Sequence, residues 1–200
     1  MLDFTVAIPT YNGESRLPEV LERLKMQVNT ENFGWEIIVI DNNSNDKTKK
    51  VVEQYQSNWT PAYPLKYCLE SQQGLCFARQ RAVEEAKGKF IGFIDDDNLP
   101  NPDWVAEAYA FGGSHQKVGA YGSLIYPEYE VTPPENFYRI ASLLGITNRG
   151  LEAHLYEPFK KVLPPGAGLV ICRQAWLENV PTQLILGPKG NNQIVQRSED

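Results

Sequence analysis

With 200 residues, 42% of them hydrophobic, the chain has material for one well-buried core and the balance of an ordinary globular protein. A net charge of −6 without a basic stripe argues against nucleic acid as a partner, and no apolar stretch has the length of a membrane span. Three widely spaced cysteines, Cys68, Cys76 and Cys172, lack CxxC spacing and read as reduced core thiols of a cytoplasmic protein.

The chain opens directly on a strand-like run, Thr5-Val6-Ala7-Ile8, which predicts no signal peptide. Leu17, Val20, Leu21, Leu24 and Val28 follow at helical spacing, with Pro18 in the first turn. Glu36-Ile37-Ile38-Val39-Ile40 is a second strand, and Val51, Val52 and Tyr55 mark a second helix, for which Ser44 or Asn45 is the expected N-cap. Residues 65–69 form a weaker third strand, and residues 75–86 a third helix. Phe90-Ile91-Gly92-Phe93-Ile94 reads as a strand buried on both faces. Asn101-Pro102-Asp103 is a cap for the helix after it, with proline at the first helical position. Residues 126–135, rich in Pro, Glu and Tyr, have no period and read as a loop. A helix at 137–144, a strand at 169–172 and a short helix through Trp176 complete the pattern. Strands separated by helices at this spacing predict βαβ units: an α/β chain whose mostly parallel, Rossmann-like sheet is covered on both faces.

The chemistry gathers at strand tips. The fourth strand runs straight into Asp95-Asp96-Asp97, three like charges that repel and that a cation would offset; hard oxygen ligands suit Mg²⁺ or Mn²⁺. If strand geometry persists, Asp95 and Asp97 point one way and Asp96 the other. The first strand ends in Pro9-Thr10-Tyr11-Asn12 and the second in Asp41-Asn42-Asn43-Ser44. Parallel strands put all three clusters on one sheet edge, where open α/β sheets bind ligands. A metal site flanked by an aromatic ring and a lone acid suits a nucleoside diphosphate. Tyr11 can stack on the base, and Asp41 can accept from base or ribose. No GxGxxG follows the first strand and GxxxxGK[ST] is absent, so basic side chains must help hold the phosphates. Arg79 is the candidate, whereas Arg81 reads as a surface charge. His115 and His154 are too few and too isolated for a zinc site.

Ile8-Pro9-Thr10-Tyr11-Asn12, Val39-Ile40-Asp41-Asn42-Asn43-Ser44, Gly74 with Ala78-Arg79, and Asp95-Asp96-Asp97 resemble the successive signatures of family 2 glycosyltransferases. They occur in that family's order and spacing and cover most of the first half. The resemblance implies a GT-A fold, a nucleotide-sugar donor (a UDP-sugar favoured), Mn²⁺ or Mg²⁺, and inversion at the anomeric carbon. By position, Pro9, Thr10, Tyr11, Asn12, Asp41, Asn43 and Gly74 would form the nucleotide site. Arg79 would neutralise charge near the acids, Asp95 and Asp96 would orient ribose or metal water, and Asp97, with Asp95, would hold the metal. Asn98 stands where many members carry another acid, which implies few protein ligands to the cation.

The second half matches more loosely. Pro165-Gly166-Ala167-Gly168 resembles the loop under donor sugar and acceptor, where small residues let backbone approach a sugar; a tight turn before a strand is the alternative. Glu199-Asp200 resembles the family's Glu-Asp pair, whose aspartate is the general base. A base needs firm placement, so the natural protein is expected to continue past Asp200. The expected organisation is a donor-binding half at 1–125 and the start of an acceptor-binding half at 126–200. The acceptor would be a glycan or lipid-linked hydroxyl in polysaccharide or cell-envelope synthesis, at or near the inner face of the membrane. A non-catalytic nucleotide-sugar binding module is the alternative. A phosphohydrolase is disfavoured, because its DxD would follow the first strand.

Overall fold

The computed structural model describes residues 2–129, 131–144, 146, 150, 152–156 and 164–181. Six strands form one sheet in the order β3-β2-β1-β4-β6-β5. They are β1 (Leu2–Thr10), β2 (Trp35–Asp41), β3 (Leu65–Leu69), β4 (Gly88–Phe93), β5 (Ala120–Tyr121) and β6 (Val170–Cys172). The first four pair in parallel, β6 runs antiparallel to β4, and β5 antiparallel to β6. The chain winds outward through β1, β2 and β3, then returns to the other side of β1 as β4. That reversal leaves a crevice at the carboxyl ends of β1 and β4.

Alternation along the strands sorts the core into two layers. Phe4, Val6 and Ile8 of β1, with Trp35, Ile37 and Val39 of β2, face α1 (Leu17–Lys25), α2 (Thr48–Ser57) and α4 (Trp104–Ser114). Ala7, Ile38, Ile40, Ile91 and Phe93 face α3 (Leu75–Glu85) and Trp176 of α6 (Arg173–Asn179). Helices thus cover both faces, as the sequence pattern predicts. The α1 positions Leu17, Val20, Leu21 and Leu24 are fully buried, and each such side chain contributes about 1.5–3 kcal/mol. Ala78 and Ala82 on α3, and Ala86 directly after it, recur every fourth residue, so small side chains let the helix approach the sheet closely.

The sequence reading needs correction in its details. Helix α1 stops at Lys25, so Val28 lies beyond it and is partly exposed. Helix α2 begins at Thr48 rather than after Ser44. The Thr48 amide donates to Asp46 Oδ1 at 2.9 Å, while Ser44 Oγ accepts from the Asn12 amide at 2.9 Å, tying two strand tips together. Helix α4 starts at Trp104, after Asp103 and not at Pro102. Its Val105 amide donates to Gln27 Oε1 at 2.9 Å, so a residue from the α1 side supplies the cap. The helix expected at 137–144 is one turn, α5 (Tyr138–Ala141), followed by a 3₁₀ turn at Ser142–Leu144. The two-residue β5 was not foreseen.

Gly92 sits where β4 passes beneath two aromatic rings. A Cβ there would stand 2.7 Å from the Trp104 ring and 2.8 Å from that of Phe4. Gly92→Ala is therefore expected to lower stability by about 1–3 kcal/mol through overpacking, read from urea unfolding. An unchanged midpoint would show that the rings yield freely.

Candidate active site

At the carboxyl end of the sheet, a cleft of about 320 Å³ is lined by Pro9, Thr10, Tyr11, Arg16, Asn42, Leu75, Ala78, Asp95, Asp96 and Asp97. Strand β4 ends at Phe93, and the triplet lies on a turn closed by the Asn98 amide donating to the Asp95 carbonyl at 3.0 Å. Strand geometry does not persist, yet Asp95 and Asp96 still diverge to opposite faces of the sheet.

Asp96 is the buried member. Arg16, immediately before α1, forks onto it, with Nε donating to Oδ1 and Nη2 to Oδ2, both at 2.8 Å. Thr10 Oγ1 donates to Oδ2 at 2.5 Å, and Arg16 Nη2 also donates to the Tyr11 carbonyl at 3.1 Å. The hydrogen bonds to Asp96 hold the Arg16 guanidinium above its ordinary pKa. Both carboxylate oxygens of Asp96 are thus engaged from within the protein. Gly13 permits this crowding: a Cβ there would lie 2.1 Å from Thr10 Oγ1 and 2.9 Å from Asp96 Oδ2.

Asp95 turns toward α3. Its carboxylate lies 3.9 Å from Arg79 Nη2, an ion pair without a hydrogen bond. Burial pushes the Asp95 carboxyl up, Arg79 opposes that shift, and the charges of Asp97 and Asp96 add to it. Arg79 stands over the Phe93 ring with its Cζ 5.5 Å from the centroid, and its buried Nε has no hydrogen-bond partner among the described residues. Burial lowers the guanidinium from its ordinary value, with Asp95 opposing. Asp97 is exposed, and Oδ1 accepts from Asn98 Nδ2 at 3.2 Å.

The nucleotide-side candidates divide into a lining and its support. The Tyr11 ring is 45% exposed at the cleft mouth. Asp41 is only 3% exposed and sits below it; Oδ1 accepts from the Ser44 amide at 2.9 Å and Oδ2 from the Tyr67 hydroxyl at 2.8 Å. Burial, then the bond to Asp41, raises the Tyr67 phenol. Asn12 and Asn43 take positive φ, 53° and 64°, to turn the chain at the two tips. Asn12 Oδ1 accepts from the Asn45 amide at 2.8 Å. Gly74 opens α3 at φ 139°, a glycine conformation, and its amide donates to Asn42 Oδ1 at 2.7 Å.

The loop Pro165-Gly166-Ala167-Gly168 reaches the site from behind Arg79. Gly168 has φ 67°; its amide donates to the Phe93 carbonyl at 2.9 Å, and its carbonyl accepts from Ser123 Oγ at 3.0 Å. A Cβ on Gly166 would come within 2.4 Å of Arg79 Nη2. Glu199 and Asp200 lie outside the described residues. A larger cavity of about 530 Å³, between α4, β5 and residues 152–156, shares no lining residue with the cleft; of the expected loop it touches Pro165 but not Gly166, Ala167 or Gly168.

Sequence reasoning missed Arg16, Asn42 and Tyr67. Arg16 carried one signal, a cation on the stretch leading from a strand tip into a helix, but its partner lies 80 residues away. Tyr67 read only as a strand residue. Among the described residues no three acids, histidines or cysteines converge as a metal cluster. One site still fits a hard cation: Asp97 presents an exposed carboxylate, and beside it the buried Asn98 Oδ1 has no hydrogen-bond partner among the described residues. Mg²⁺ is commonly held by one or two carboxylates with phosphate and water completing the shell.

Comparison with known proteins agrees with this architecture. The model of the family described as Glycosyl transferase family 2 matches residues 5–178, and the chain belongs to that family. Poly(ribitol-phosphate) beta-N-acetylglucosaminyltransferase TarS of Staphylococcus aureus is 30% identical over 115 residues, 58% of this chain and 20% of TarS. The solved structure of S. aureus TarS 1–349 in complex with UDP-GlcNAc matches with a TM-score of 0.62 at 21% identity, over 89% of this chain and 47% of that one. The mannosyltransferase PcManGT from Pyrobaculum calidifontis, in complex with GDP-Man and Mn²⁺, gives 0.63 at 23% identity, over 88% and 46%. The fold is the GT-A fold, and the chain spans less than half the length of each.

Asp97 contributes to the raised carboxyl of Asp95. A raised acid stabilises the fold below its ordinary pKa, and that contribution is lost as pH rises through the raised value. Removing the Asp97 charge should therefore lower the Asp95 midpoint and slightly raise stability at neutral pH. Carbon-detected NMR titration of Asp97→Asn checks the first expectation and urea unfolding the second. A fixed Asp95 midpoint would contradict the stated coupling.

Proposed function

We propose that the chain is the donor-binding part of an inverting glycosyltransferase, moving a sugar from a nucleoside diphosphate sugar, UDP favoured, to the hydroxyl of a glycan or lipid-linked acceptor. One observation carries this reading. At the β1/β4 crevice an exposed aromatic ring (Tyr11) and an exposed carboxylate (Asp97) line one cleft with Asp95, and behind Asp95, at 3.9 Å, stands the Arg79 guanidinium, whose Nε has no hydrogen-bond partner among the described residues. Family membership and the nucleotide-sugar complexes of the structural relatives support it. The TarS relationship favours a cell-envelope polymer as the acceptor's destination.

Each residue then has a task. Tyr11 stacks on the base, and Asp41, fixed by Ser44 and Tyr67, accepts from base or ribose. Pro9 and Thr10 form the wall beside them. Asp97, with Asp95 as the second carboxylate, would hold Mn²⁺ or Mg²⁺, which when bound offsets charge on the departing diphosphate. Arg79 brings a fixed positive charge to the same group, already desolvated and needing little reorganisation. Inversion needs one displacement, with the acceptor hydroxyl attacking the face opposite the diphosphate. Asp200, assigned by resemblance, takes that hydroxyl's proton, since an ordinary aspartate is ionised at neutral pH. Residues 1–125 serve the donor, and residues 126–200 begin the acceptor side.

Calorimetry with UDP checks the donor reading. Binding is expected with Mn²⁺ and to weaken roughly tenfold or more in chelator or in Asp97→Asn, as loss of one charge-assisted contact of about 1.4 kcal/mol implies. Equal affinity in chelator would remove the cation from the account. Asp200→Asn separates enzyme from binding module: transfer should fall roughly 10²–10⁴-fold with UDP affinity unchanged. A chain that binds UDP-sugar tightly but transfers nothing before or after that substitution would be the module.

A further inference from the structure

Arg79 and the loop at 165–168 meet at one point that the proposed chemistry does not use. An ideal Cβ on Gly166 would have its three nearest atoms all in the Arg79 guanidinium: Nη2 at 2.4 Å, Nη1 at 3.4 Å and Cζ at 3.3 Å. Contacts below 3.0 Å force something to move. The backbone does not itself demand glycine here, because Gly166 lies outside the positive-φ set that includes Gly168. The empty space at 166 is filled by a cation.

Neither partner can retreat as a whole. The loop is stitched to the sheet directly before the acidic turn: the Gly168 amide donates to the Phe93 carbonyl at 2.9 Å, and the Phe93 amide donates to the Leu169 carbonyl at 2.8 Å. From the other side, Ser123 donates to the Gly168 carbonyl through its amide at 3.2 Å and through Oγ at 3.0 Å. Ser123 Oγ in turn accepts from Trp104 Nε1 at 2.9 Å. Helix α3 is held by Ala78 and Ala82, both fully buried against the sheet. Only the far end of the Arg79 side chain can give way, between the Phe93 face at 5.5 Å and Asp95 at 3.9 Å.

We propose that Gly166 is a positioning residue for Arg79: its missing side chain makes the space in which the guanidinium lies, and so sets where that cation meets a diphosphate. The diphosphate half of this statement rests on the proposed function; the packing half does not. A methyl group at 166 displaces the guanidinium at little cost to the fold, since a flexible tail yields. The same displacement takes the charge from a ligand that needs it within hydrogen-bond reach.

Gly166→Ala, Arg79→Ala and the double variant test this, with UDP and uridine each titrated in Mn²⁺. Gly166→Ala should melt within about 2 °C of the parent, consistent with less than about 0.5 kcal/mol. It should hold uridine unchanged and lose roughly tenfold in UDP affinity, as loss of a charge-assisted contact implies. The double variant should lose no more than Arg79→Ala alone. Parent-like UDP affinity in Gly166→Ala, equal weakening of UDP and uridine, or a loss that adds in full to that of Arg79→Ala would each overturn the inference. If the parent binds no nucleoside diphosphate, the donor reading fails by itself. The crystal structure of Gly166→Ala then decides the packing claim: a guanidinium displaced by about 1 Å or more supports it, and an unmoved one overturns it.

Discussion

Three adjacent carboxylates at the end of a buried strand are the constraint around which this molecule is arranged. Like charges on one short turn repel, and burial raises the cost of Asp95 and Asp96. The chain answers with two guanidiniums, one from each helical layer. Arg16, beside α1, closes on Asp96 with two bonds of 2.8 Å, while Arg79, from α3, stands 3.9 Å from Asp95. The first pair is complete and the second is not. The complete pair fixes the turn against the tip of β1, because Thr10 donates to Asp96 and the Tyr11 carbonyl accepts from Arg16. The incomplete pair leaves positive charge to meet a negative ligand, and Asp97 is left facing solvent.

Topology brings these groups into one place. Strands β1 and β4 are neighbours although two strands and three helices separate them in the chain, so their tips share an edge that sequence order alone does not reveal. Close approach does the rest. Gly13 admits Thr10 and Asp96 into one pocket, the alanines of α3 let Arg79 start near the sheet, and Gly166 leaves room for its head. A second network, at the opposite end of the sheet, has no part in the cleft. Buried Glu36 there accepts from Thr5 Oγ1 at 3.0 Å and from the Lys87 amide at 2.8 Å, and pairs with Lys66. It holds the N-terminal ends of the strands together.

Much of this was legible in the sequence because it is local. Apolar runs and helical periodicity place the four parallel strands and their helices, and strand tips place Pro9, Thr10, Tyr11, Asp95 and Asp97 at one edge. What was not legible depends on contacts across the fold. The acidic crowding suggested a metal, yet the chain's own arginines already offset part of it, and the Arg16 pairing spans 80 residues. Asn42 looked like one polar residue among several, but it accepts from Gly74 and donates to the carbonyls of Glu70 and Gln72, carrying the second strand tip to α3. The helix caps were misplaced for the same reason: Gln27, 78 residues from Val105, does what the nearby Asn101-Pro102-Asp103 segment was expected to do. The glycines of the 165–168 loop carried a signal without a cause, and their causes lie in Arg79 and in positive φ.

The central claim is that Asp96 belongs to the framework while Arg79 and Asp97 belong to the ligand. A crystal structure of the protein with UDP and Mn²⁺ tests it most directly. The account predicts diphosphate oxygens on the Arg79 guanidinium, the cation on Asp97, and Asp96 still forked by Arg16. Asp96 released from Arg16 to ligate the cation, or a diphosphate bound away from Arg79, would contradict it.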